Sequence, residues 1–147
     1  MFHRLQDSLF ATFKFFHFVT LLVFLSAGVL TGCANSRDRE VAREAASRIH
    51  SQIQSRDFAA IYDESAEGFR TVDKAEFVAG MTELHDKLGA IKNIKEMAYQ
   101  AGLDSRAGRT HALVFDVHCE SARARETLVF VRGEDHKMQL WKLNIDP

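Results

Sequence analysis

The hydrophobic pattern of this chain changes period once, at Gly89, and that change limits the fold more than any other feature. Upstream, Val41, Ala42, Ala45, Ala46, Ile49 and Ile53 recur at helical spacing, followed by Phe58, Ile61 and Tyr62, and then by Phe77, Met81, Leu84 and Leu88. Downstream, residues 91–101, 111–119, 126–132 and 139–145 alternate apolar with polar side chains, the mark of half-buried strands. Local signals bound these elements. Asp57 is placed to cap the second helix, Asp73 with Glu76 forms an acidic variant of the capping box, and Gly89 closes the third helix as a left-handed cap. Residues 102–110 (GLDSRAGRT) and 133–136 have turn composition. Helices segregated ahead of sequential hairpins predict an α+β domain, with three N-terminal helices packed on one face of a four-stranded antiparallel curved sheet. A chain of 147 residues has room for one such domain.

The first 32 residues obey a different rule. Seven of the 12 phenylalanines fall within the first 24 positions, and after Arg4 and Lys14 the run at 15–30 (FFHFVTLLVFLSAGVL) is almost wholly apolar. This is a basic segment followed by the hydrophobic segment of an export signal. As a helix the run spans roughly 24 Å, short of the roughly 30 Å hydrocarbon core, so a transmembrane anchor is the weaker of the two readings. Leu30-Thr31-Gly32-Cys33 then resembles the lipobox of bacterial lipoproteins: a branched apolar residue, two small residues and a cysteine. That resemblance implies removal of residues 1–32, acylation of Cys33 and attachment to the membrane through its acyl chains. In lipoproteins of bacteria with two membranes an Asp after the cysteine favours inner-membrane retention. Ala34 stands there instead, which implies the periplasmic face of the outer membrane. The expected plan is a signal peptide at 1–32, a lipidated cysteine and polar tether at 33–39, and one α+β domain at 40–147. With Cys33 acylated, Cys119 has no partner for an intrachain disulfide.

Charge and motifs narrow the chemistry. Nineteen Lys and Arg against 20 Asp and Glu, with no long basic run, lack the footprint of a nucleic-acid binder. No H-E-x-x-H or paired-cysteine spacing points to a metal, and no motif points to a cofactor. The candidate catalytic residues are Asp116 and His118. Their spacing of two places both on one face of a strand, where a carboxylate can orient an imidazole as a general base. Cys119 falls in phase with Leu113, Phe115 and Val117 and reads as a small buried hydrophobe. His50 and His85, each near a helix C-terminus, read as favourable charges there. Tyr62, Tyr99 and Trp141 are the candidate ligand-contacting aromatics. Trp141 alternates with Leu143 and Ile145, which places it in the core, and Tyr62 reads as a core residue with its hydroxyl at the rim.

The sequence DFAAIY at 57–62, RETLVFVR at 125–132 and LWKLNI at 140–145 resemble the second helix and last two strands of small nuclear transport factor 2-like, or cystatin-like, domains. The resemblance covers residues 38–146 and implies a cone-like sheet. Together the expectations describe a lipid-anchored envelope protein, a non-enzymatic binding or accessory module for a protein partner or a small apolar ligand. The alternative is a small isomerase or hydro-lyase that uses His118 with Asp116.

Overall fold

The computed structural model describes residues 30–147 apart from 134 and 136, with side chains from residue 36 onward. The chain runs through α1 (Leu30–Gln54), α2 (Phe58–Glu64), a 3-10 turn (Glu67–Phe69), α3 (Lys74–Leu88), β1 (Ile91–Asp104), β2 (Gly108–Cys119), β3 (Arg123–Arg132) and β4 (Met138–Asp146). It is an α+β domain whose four strands form one antiparallel sheet in the order β1-β2-β3-β4. Residues 1–29 of the signal peptide expected at 1–32 lie outside the described residues, as do the side chains of Leu30-Thr31-Gly32-Cys33. Residues 34–39, read above as a tether, are helical in α1. Among the described residues no helix is long and apolar enough to cross a membrane.

The helix boundaries follow their caps. The Asp57 carboxylate accepts a hydrogen bond from the backbone N–H of Ala60 at 3.2 Å, and that of Asp73 accepts one from Ala75 at 2.8 Å. At the other end of α3 the Gly89 N–H donates to the His85 carbonyl at 2.8 Å. Gly89 has φ 77° with ψ −175°, so the cap is positive in φ but extended in ψ, unlike the left-handed helical cap expected. A Cβ here would also lie 2.8 Å from the Glu120 Cβ, so glycine is required twice over.

The core lies between the helices and one face of the sheet. Ala42, Ala45 and Ala46 are at most 1% exposed and form the buried stripe of α1. Ile49 and Ile53 continue that stripe, α2 adds Phe58 and Ile61, and α3 adds Met81. From the sheet come Leu113, Phe115 and Val117 on β2, Leu128 and Phe130 on β3, and Met138 and Leu140 on β4. Strict alternation is broken on both edge strands. β1 shifts register between Ile91 and Asn93 and again between Glu96 and Ala98, so that Ile91, Ile94, Glu96 and Tyr99 pair with the core-facing residues of β2. β4 shifts opposite Val129 and Phe130, between Leu140 and Lys142. Trp141 is the extra residue, and this corrects its expected place: Met138 and Leu140 carry the core phase on one side of the bulge, and Leu143 and Ile145 carry it on the other. The Trp141 ring instead packs against Gly68, where an added Cβ would lie 1.9 Å from it.

Candidate functional site

Two titratable residues occupy positions where the pattern predicts apolar ones. His50 lies in the stripe of Ala42, Ala46, Ile49 and Ile53, four residues beyond Ala46, and is 8% exposed. Glu126 lies between Ala124 and Leu128 on the covered face of β3 and is 2% exposed. Their side chains meet in a short hydrogen bond between His50 Nε2 and a Glu126 carboxylate oxygen. The edge of the His50 ring also rests on Phe115, with centroids 4.8 Å apart and planes at 83°. His50 is therefore a sheet-facing partner of a carboxylate, which replaces its reading as a helix-end charge.

Glu126 also lines a cavity of about 30 Å³ between α3 and the sheet. Its wall is mainly apolar, made by Ile53, Met81, Leu84, Leu88, Val117 and Ile145, with His85 and Cys119 as its other polar or polarisable members. The volume accommodates a water-sized occupant, for which about 10–15 Å³ is needed. Neither ring nitrogen of His85 has a hydrogen-bond partner among the described residues, although both are buried, and its ring lies 6.1 Å from that of Phe58. The second histidine is thus also drawn inward rather than left as a solvated helix-end charge. Burial, reinforced by the nearby charge of Glu126, pushes the Cys119 thiol above its ordinary range.

A second polar network joins the early part of α1 to the sheet. The Tyr99 hydroxyl and His111 Nδ1 share a hydrogen bond of 2.9 Å, and Asp38 lies 4.0 Å from His111 Nε2 while pairing with Arg132 at 2.5 Å. His111 is 1% exposed, and burial depresses its affinity for a proton, with the charge of Asp38 opposing that shift. Beside it, Arg39 and Arg43 both bind Glu96 at 2.6 Å, and Arg39 lies over the Tyr99 ring at 5.5 Å. Hydrogen bonds from Arg43 first and Arg39 second hold the Glu96 carboxyl below the ordinary carboxylate range against its desolvation.

The sequence-derived candidates are scattered. Asp116 and His118 do share a face, with His118 Nε2 at 3.2 Å from an Asp116 carboxylate oxygen, but it is the face turned away from the helices. There their side chains remain 39% and 31% exposed, opposite Arg125 and Arg123 of β3. Tyr99 is absorbed by His111. The Tyr62 hydroxyl donates to the Val72 carbonyl at 2.7 Å and its ring lies 5.7 Å from Phe77, so it ties the loop before α3 to α2. Trp141 stands outside the cavity, its indole nitrogen buried without a partner among the described residues. Cys119 is on the covered face while His118 is on the other, so the adjacent pair forms no dyad. The residues that the motif reading missed, Glu126, His50 and His111, share one signal. Each carries a titratable group at an apolar phase of its own element. Neither a scan against protein-family models nor a search of curated proteins finds a match to this chain. Among the described residues no group of three or more His, Cys, Asp or Glu side chains is arranged to hold a metal ion.

Proposed function

We propose that this protein is a lipid-anchored module of the bacterial cell envelope, held at the periplasmic face of the outer membrane by acyl chains on Cys33, and that its domain binds a small, mainly apolar ligand. The anchor rests on the lipobox-like residues Leu30 to Cys33. The binding role rests on one observation: an apolar cavity lies between α3 and the sheet, with a buried carboxylate in its wall. A cone-like arrangement is the finer reading of the fold. It is supported by the bulges in β1 and β4 and by the β1–β2 hairpin, whose Asp104 lies 3.5 Å from Lys142 on β4.

Native mass spectrometry on the protein recovered from its own envelope is expected to show an acylated N-terminal Cys33 and a small companion mass. Retention of a Cys33→Ser protein in the membrane fraction after alkaline washing would overturn the anchor. Consistently empty domain would overturn ligand binding and shift the role to docking of an envelope protein partner. The enzymatic alternative, an isomerase or hydro-lyase using His118 and Asp116, is the weaker proposal because that pair stands on the half-exposed face, where water screens and competes with it.

A further inference from the structure

We propose that the cavity under α3 selects small apolar molecules that carry one neutral hydroxyl group, with Glu126 as the group that reads it. This rests on the binding-module reading above and names its ligand class. One Glu126 oxygen is committed to His50, and the residue, with its side chain 3% exposed, also lines the cavity. A buried acceptor in a mainly apolar wall gains more from a matching donor than the same group gains in water. His85 adds the complementary group, since an imidazole in either tautomer keeps one N–H to donate. A hydroxyl oxygen, like that of water, can both donate to a carboxylate and accept from an imidazole, whereas a hydrocarbon can do neither. An anionic ligand meets the Glu126 carboxylate unfavourably, and a hydrocarbon leaves both polar groups unmatched.

The size of the cavity sets the second part of the selection. At about 30 Å³ it holds little more than a water until its wall gives. Met81 lines the cavity, and its unbranched, adaptable thioether makes it the wall member assigned to give way. His50 acts as a positioning residue. It holds the Glu126 carboxylate from the side away from the ligand, and its ring is fixed in turn by Phe115.

The test uses the full chain in phospholipid nanodiscs with 13C-methyl methionine, so that Met81 reports on the cavity. Phenol is expected to shift the Met81 methyl resonance saturably, at least tenfold more tightly than toluene or benzoate. Because Glu126→Met alone strands His50, the second variant is the double replacement His50→Phe with Glu126→Met, which keeps the volume and removes both polar partners. In that protein the preference of phenol over toluene is expected to disappear. Equal responses to phenol and toluene in the unaltered protein, a preference that survives the double replacement, or no Met81 response would each overturn the proposal. A companion mass found on the native protein together with any of these results leaves the binding-module reading standing and removes only its ligand class.

Discussion

Two histidine–carboxylate pairs stand on opposite faces of one sheet. His50 with Glu126 is enclosed between α1 and β3, with side chains 11% and 3% exposed, whereas His118 with Asp116 lies on the uncovered face at 31% and 39%. The same functional groups acquire different energetics from their surroundings. On the open face water solvates each member separately, so their mutual attraction contributes little. On the covered face each group has lost its water and depends on the other, so loss of one strands its partner. The difference teaches that a spacing of two on a strand identifies residues that share a face, but not whether that face is dry.

The comparison can be broken hardest at Glu126. Glu126→Leu is expected to lower unfolding free energy by about 3–5 kcal/mol in denaturant titration, because His50 is left without its partner. The double variant with His50→Phe is expected to recover most of that loss. Neighbouring positions on β2 test the faces without charge. Leu113→Ala, at a side chain that is 0% exposed, is expected to cost about 2–5 kcal/mol, while Val114→Ala on the other face costs less than about 1 kcal/mol. Similar losses at both positions would show that the open face is covered too.

A smaller effect follows from His111, whose proton affinity is depressed by burial. The unfolded histidine takes up a proton below about pH 6.5, where the folded one still resists it. Stability is therefore expected to fall as pH drops through the unfolded value and to level off only below the folded one. Replacement by Phe is expected to flatten the stability profile below about pH 6.5. Glu96 acts in a lower window, since its depressed carboxyl contributes stability above about pH 4.3 that is lost as pH falls through the folded value. An unchanged slope in His111→Phe would remove His111 as the source of the acid sensitivity that sets in below about pH 6.5. The smallest expected effect is at the open pair. Asp116→Asn should change stability by less than about 1 kcal/mol, measured beside His118→Gln in the same denaturant titration.

Much of this architecture is written locally. The shift in hydrophobic period at Gly89, the carboxylate caps at Asp57 and Asp73, and the common phase of Leu113, Phe115, Val117 and Cys119 each depend on neighbours a few residues away, and each has its counterpart in the fold. The bulges at Met97 and Trp141 were less legible because a single extra residue reverses the faces of all that follow, and no local composition marks it. The candidate site was half legible. His50 and Glu126 each break an apolar phase, which indicates that something polar is being buried. Their pairing across 76 residues, and the cavity that only one of them lines, arise when α1 and α3 settle on the same face of the sheet. Sequence periodicity determined which side chains turn inward together; tertiary packing decided which of them lost water and therefore which polar groups had to find each other.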